Sequence, residues 1–205
     1  MRDRYDEHVP PRSIIYGSVS IGETMETKKP SEALIDAIRA GDMERANTLI
    51  RIGAVVDGDL NLAHQTGTLP DNLMIGGSLV LRYSDVGALP HDLTVNGNLD
   101  LFYASELTSL PADLTVKGDL ILSYTAIRAL PYGLFEGGLD LTGSNISTLP
   151  RNLWVGGALR LSDTKITELP ENLRVGADLY LDGTAVVEVP ESAEIGGRVV
   201  GLKGR

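Results

Sequence analysis

The sequence predicts a parallel β-solenoid of about seven coils, each roughly 20 residues long, with a small α-helical cap at its N-terminal end. Three observations predict it. Leu-Pro recurs at Leu69-Pro70, Leu89-Pro90, Leu110-Pro111, Leu130-Pro131, Leu149-Pro150 and Leu169-Pro170, with Val189-Pro190 as a seventh copy, so successive copies lie 19 to 21 residues apart. Between the copies a Leu-x-Leu step repeats, as at Leu79/Leu81, Leu120/Leu122 and Leu159/Leu161. Its period of two places both leucines on one face of a strand. Upstream, Leu34, Ile35, Ile38 and Ala40 follow a helical period instead.

The elements follow in chain order. Residues 1–30 carry Pro10, Pro11 and Pro30 and one strand-like run, Ser13 to Ile21, and are expected to form an arm. Met1 to Pro11 has charges of both signs and no apolar stretch behind them, unlike a secretory signal or transit peptide. Residues 31–56 form a helical hairpin: Gly41-Asp42 stops one helix and caps the next, and Ala46, Leu49 and Ile50 resume the period before Gly53. Residues 57–205 form the solenoid. Its unit is L-P-x-x-L-x-V-x-G-x-L-x-L-x-x-T-x-I, seen cleanly from Leu110 to Ile127 and from Leu169 to Val186.

Within a unit, Leu-x-Val-x-Gly can run as a second short extended segment before the bend into Leu-x-Leu. Proline fits the opposite turn, where no ladder N–H is needed. A lone coil orders too much backbone for the few aliphatic side chains that it buries. Stability must therefore come from stacking, and the ends need caps. The hairpin serves one end, and Arg198, Lys203 and Arg205 discourage edge pairing at the other.

Three residues after the second strand leucine stands a small, usually hydroxylated residue: Ser84, Thr125, Ser144, Thr164 and Thr184. A buried hydroxyl there can bond turn backbone. With Leu-x-Leu before it and Leu-Pro after it, the stretch from about Asp57 to Val200 resembles the leucine-rich repeat arrays of bacterial and bacteriophage proteins, with Ser/Thr in place of the ladder asparagine. It is similar to the Leu-Pro-containing repeat domain of type III effector ligases. The hairpin, from Ala33-Leu34-Ile35-Asp36-Ala37-Ile38 to Gly53-Ala54-Val55-Val56-Asp57, resembles a single ankyrin repeat. These resemblances imply a leucine-rich repeat solenoid that holds another protein. The separate cysteine-dependent ligase domain is missing from this chain, so ligase activity is not implied.

Composition narrows the chemistry. The 205 residues include no cysteine, which removes disulfides, thiolate metal sites and cysteine nucleophiles. The workplace expected from this is cytoplasmic, of a host cell after delivery or infection if the resemblance holds. Eighteen Lys plus Arg against 28 Asp plus Glu gives a net charge of −10, which disfavours direct nucleic-acid binding and anionic membranes. No apolar run approaches the roughly 18 to 20 residues of a membrane helix. His8, His64 and His91 read as standing at unrelated positions of the repeat, without metal-ligand spacing. The glycine pairs lack a following Gly-Lys-Ser/Thr, and no serine lies in Gly-x-Ser-x-Gly. Neither an enzyme, a metal nor a cofactor is expected.

What remains is the outward face. Tyr83, Tyr103 and Tyr124 share one position in three consecutive coils, and Phe102 adjoins them. At about 4.8 Å per coil the three rings make a ladder roughly 10 Å long, which either anchors a partner or braces neighbouring coils. Between the paired leucines the outward row is Asn61, Val80, Asp100, Ile121, Asp140, Arg160, Tyr180 and Val200. Val80, Ile121, Arg160 and Tyr180 join the tyrosines and Phe102 as expected partner-binding residues. The other segment's outward row is Met74, Thr94, Thr115, Phe135, Trp154 and Arg174, with Trp154 favoured as a packing residue. The second coil has one extra residue near Ala104-Ser105-Glu106. The fourth lacks one at Leu134-Phe135-Glu136-Gly137, with Glu136 where valine is expected.

The function expected is a non-catalytic protein-binding module, an effector or inhibitor of a host or defence protein. One alternative is an acidic nucleic-acid mimic, presenting Asp59, Asp100, Asp119, Asp140, Asp178 and Asp182 to a DNA- or RNA-binding protein. Another is a substrate-recruiting fragment of a larger effector.

Overall fold

The computed structural model describes residues 28–132 and 134–203. Most of the expected N-terminal arm, with its strand-like run, lies outside the described residues. The helices come first: α1 spans Pro30–Ala40 and α2 spans Met43–Arg51. Proline opens α1, where a missing N–H is harmless. Gly41 closes it, donating its N–H to Ile38, and Asp42 caps α2 by accepting the Arg45 N–H at 3.0 Å. Leu34, Ala37, Ile38 and Ala46 bury against the same core as Leu60 and Leu62 of the first coil.

Fifteen two-residue strands follow: β1 Leu60–Asn61, β2 Met74–Ile75, β3 Leu79–Val80, β4 Thr94–Val95, β5 Leu99–Asp100, β6 Thr115–Val116, β7 Leu120–Ile121, β8 Leu134–Phe135, β9 Leu139–Asp140, β10 Trp154–Val155, β11 Leu159–Arg160, β12 Arg174–Val175, β13 Leu179–Tyr180, β14 Glu194–Ile195 and β15 Val199–Val200. The odd-numbered strands, in the order β1-β3-β5-β7-β9-β11-β13-β15, form one parallel eight-stranded ladder. Leucine stacks on leucine throughout, from Leu60↔Leu79 to Leu159↔Leu179, and Leu179 meets Val199. This is the parallel β-solenoid with a small helical cap that the period predicts. The even-numbered strands form the second ladder, which is split into β2-β4-β6 and β8-β10-β12-β14. An isolated bridge from Val56 to Ile75 ties the cap to it.

The split falls at the coil that is one residue short, and the structure corrects the expected alignment there. Leu134 pairs in register with Trp154 and Phe135 with Val155. Leu134, not Phe135, is therefore the outward residue, 74 % exposed, and Phe135 rather than Glu136 takes the valine place. The deletion removes the leucine that Leu73, Leu93, Leu153 and Leu173 supply at 0–1 % exposure in other coils. A void of about 120 Å³ opens beside Leu114, Val116, Leu120 and Phe135. The extra residue of the earlier coil is absorbed in a turn at Ser105-Glu106, and Leu107 returns fully buried.

The hydroxyl column is buried as expected and bonds within its own coil. Ser84, Thr125, Thr164 and Thr184 each donate to the carbonyl three residues back, at 2.6 to 2.7 Å. Ser144 Oγ is buried without a partner. Thr164→Val should lose about 1 kcal/mol, because a buried bond to the Leu161 carbonyl disappears while shape is kept. Ser144→Ala should be nearly neutral. Paired urea midpoints at constant m measure both.

Candidate recognition surface

The turn after each second strand leucine is built around one left-handed residue. In order these are His64, Tyr83, Tyr103, Tyr124, Gly143, Asp163 and Gly183, with φ between 54° and 74°. Glycine enters this region freely, whereas a residue with a Cβ loses about 1–2 kcal/mol there. A second left-handed column, at the proline turn, holds Asn72, Asp92, Asn152 and Asn172, residue types that tolerate it. Tyrosine has no such excuse. The backbone pins it: the N–H groups of Tyr83, Tyr103 and Tyr124 donate to Phe102, Ser123 and Thr142 of the next coil at 2.9, 3.0 and 2.8 Å.

The rings stack along the solenoid. Tyr83 and Tyr103 centroids are 5.6 Å apart and those of Tyr103 and Tyr124 6.1 Å, both tilted by 37°. Phe102 stands edge-on to Tyr83 and Tyr124 at 5.4 and 5.6 Å. His64 extends the stack, its ring parallel to Tyr83 within 4° at 5.1 Å. It therefore shares the tyrosine column rather than an unrelated position, a correction that counting two residues on from Leu62 in the degenerate first coil would have supplied. At the other end the stack stops at Gly143, where an added Cβ would lie 2.5 Å from Tyr124 Cε1. Tyr83, Tyr103 and Tyr124 remain 45–51 % exposed. A shallow depression of about 240 Å³ beside Tyr103 and Tyr124 is lined by Ser105, Ala126, Gly143 and Asn145. The extra residue of the second coil thus lies at its rim.

The other expected contact residues divide. Val80 and Ile121 lie half-buried on the ladder face, on either side of Asp100. Arg160 and Tyr180 form a separate group beyond Asp140, with the guanidinium 5.1 Å from the Tyr180 centroid. Tyr180 Oη donates to Asp178 Oδ2 at 3.1 Å. Trp154 is half-buried, its ring over Gly156, where an added Cβ would lie 3.1 Å from Cη2.

Most of the acidic set has structural work. Asp100 is 7 % exposed, so it is not an open surface charge. Its Oδ2 meets Arg82 Nε at 2.5 Å and its Oδ1 accepts the Phe102 N–H at 3.1 Å. Asp140 Oδ1 accepts the Thr142 N–H at 2.9 Å in the same turn geometry. Asp182 is exposed. Asp59, Asp119 and Asp178 belong to a relay that sequence reading missed. Each side-chain oxygen accepts the N–H of the equivalent residue one coil on: Asp59 from Ser78, Ser78 from Asn98, Asn98 from Asp119, Asp119 from Gly138 and Asp178 from Arg198, at 2.6 to 3.1 Å. The signal was the run of Asp59, Ser78, Asn98 and Asp119 immediately before the first strand leucine of four successive coils, with Asp178 in the same place later. It also explains a glycine: a Cβ on Gly118 would lie 2.2 Å from Asn98 Oδ1.

Asp178 is the strongest link. The Arg198 N–H, then its guanidinium at 3.0 Å, then the Tyr180 hydroxyl hold its carboxyl down to about 2. A carboxylate held below its unfolded value of about 4 contributes stability that is complete above that value. The contribution is lost as pH falls from about 4 through about 2. Asp178→Asn should therefore melt below the parent chain at pH 6, with the difference in Tm closing towards pH 2.

Among the described residues no three His, Asp or Glu side chains converge as a metal site would require, and no helix is long and apolar enough to cross a membrane. A depression of about 390 Å³ lies between the end of α1 and the first turn and is lined by Ile38, Met43, Leu62 and Thr66 among others. No family model, curated protein or solved structure matches this chain.

Proposed function

We propose that the protein is a non-catalytic binding scaffold that holds a protein partner through the aromatic stack of His64, Tyr83, Phe102, Tyr103 and Tyr124. One observation carries the reading: three tyrosines occupy consecutive left-handed positions that glycine fills more cheaply in later coils, and all three stay half-exposed. Local strain kept at one surface supports a role there beyond folding. Tyrosine suits it, since it offers large amphipathic contact area with few rotors to fix. Val80 and Ile121 extend the patch across the ladder face, and Arg160 with Tyr180 supply a second, smaller contact. The resemblance to bacterial and bacteriophage repeat proteins supports a host or defence protein as the partner.

The test is affinity capture from a lysate of the native host, with the parent chain and with Tyr103→Ala/Tyr124→Ala as bait. The partner should be captured by the parent and lost by the variant, with binding only weakly dependent on salt. Capture that survives the double substitution but falls steeply between 50 and 500 mM salt would instead support the acidic mimic.

A further inference from the structure

Six successive turns fill the same place in the core, between the small residue of the turn and the next Leu-Pro or Val-Pro step. Val86, Leu107, Ile127, Ile146, Ile166 and Val186 take it in order, at 0–3 % exposure. The first turn has no such residue. Leu62 lies 19 residues before Leu81 whereas Leu69 lies 20 before Leu89, so the stretch from Leu62 to Leu69 is one residue short. Counted forward from His64, the missing residue is the aliphatic one; counted back from Leu69-Pro70, Thr66 stands where Val86 stands one coil on. Either way Gln65, Thr66, Gly67 and Thr68 offer no aliphatic side chain. The shortened turn closes through Gly67 at φ 122°, a conformation that glycine enters readily.

The depression of about 390 Å³ opens at this place. Its apolar wall comes from every side of the missing side chain: Ile38 and Met43 of the cap, Leu62 and Leu81 of the leucine row, and Val86 of the next coil. Ile38, Leu62, Leu81 and Val86 are 2–5 % exposed, so the wall is continuous with the core. Gln65, Thr66 and Thr68 bring hydrogen-bonding groups to the rim. Arg39, itself exposed, is the one charged residue lining the depression among the described residues. The end of α1 opposes that charge little, because the Gly41 and Asp42 N–H groups take the Ile38 and Ala37 carbonyls at 3.1 and 2.9 Å.

The volume falls within the range of small-molecule sites, about 300 to 1,000 Å³, and an apolar wall with a few convergent polar groups is their usual lining. We infer that the depression binds a medium-chain aliphatic carboxylate. The tail takes the place of the missing side chain, and the carboxylate meets the Arg39 guanidinium at the rim.

Octanoate is the probe, with octanol, octylammonium and acetate separating head from tail. Calorimetric titration should rank octanoate above octanol and octylammonium and show no binding of acetate. Saturating octanoate should raise Tm. With isotope-labelled methionine methyls, the Met43 signal should shift, whereas that of Met74, which is exposed on β2 and does not line the depression, should stay. Arg39→Gln should weaken octanoate about 10-fold and leave octanol unchanged. Inserting a valine between Thr66 and Gly67 should restore the length of the turn, raise Tm and abolish octanoate binding. Thr66→Ile should abolish it without any change of length, so the reading survives an insertion that disturbs the cap. The inference is overturned by an absence of saturable octanoate binding, by equal affinity for octanoate and octylammonium, by an Arg39→Gln variant that binds as well as the parent, or by a Met43 signal that still responds in both filled variants. A protein partner lost from both filled variants, with octanoate unbound by the parent, would assign the place to a partner's side chain and overturn it too. These variants leave Tyr83, Phe102, Tyr103 and Tyr124 unchanged, so the outcome is separable from that of the aromatic stack.

Discussion

Leu120→Ala should destabilise the protein by about 3 kcal/mol and Val199→Ala by under 1 kcal/mol, although both residues hold the same place in the repeat. Leu120 is 1 % exposed in mid-ladder, in register with Leu99 on one side and Leu139 on the other. Truncating it leaves a cavity that neither neighbour can fill, and it weakens two coil interfaces at once. Val199 is part-exposed and stacks only on Leu179. In a solenoid, stability is a sum of coil terms and nearest-neighbour interfaces, so a central lesion also weakens the coupling between the two sides. Trp154, the sole tryptophan, lies on the C-terminal side of Leu120 and reports on that part alone. Its fluorescence transition in urea should separate from the circular dichroism transition in Leu120→Ala and coincide with it in the parent. A Leu120→Ala midpoint shift worth less than 1 kcal/mol would contradict the packing account.

Tyr103→Gly should leave the fold more stable than Tyr103→Ala by about 1 kcal/mol, while both weaken partner binding by at least 10-fold. Both variants lose the ring contacts to Tyr83, Phe102 and Tyr124. Only glycine also relieves the left-handed backbone, where Tyr103 has φ 59°. Thermal unfolding of the two variants reads the stability difference, and titration of the captured partner reads the binding loss. If the rings served only to brace coils, the glycine variant would bind as well as the parent. Equal stability of the two variants would show that the left-handed position stores no strain.

The scaffold was legible because its physics is periodic. A leucine at each Leu-x-Leu step has one place to go, and the hydroxyls of Ser84, Thr125, Thr164 and Thr184 are fixed by the turn in their own coil. What escaped depends on neighbours one coil away. Asp100 points outward by alternation, yet the Arg82 guanidinium and the Phe102 N–H enclose it. The short coil can be aligned with its gap on either side of Leu134. The choice is made by the core, which takes the Phe135 ring into the valine row and leaves Leu134 outside. The tyrosine column was visible, but its left-handed backbone was not, since nothing in Leu-Phe-Tyr or Leu-Ser-Tyr signals positive φ. That backbone separates a packing ornament from a candidate site.

The unequal continuity of the two ladders has a mechanical consequence. The leucine ladder runs unbroken through eight strands, whereas the other is interrupted between β6 and β8. One edge of the stack therefore behaves as a spine and the other as pages cut at a single place. Bending that opens the proline side concentrates at this joint, where no strand pairing among the described residues resists it. Torsion about the spine meets paired backbone everywhere. Two stiff blocks, of three and four coils on the second ladder, share a flexure whose axis is set by the deletion of one residue.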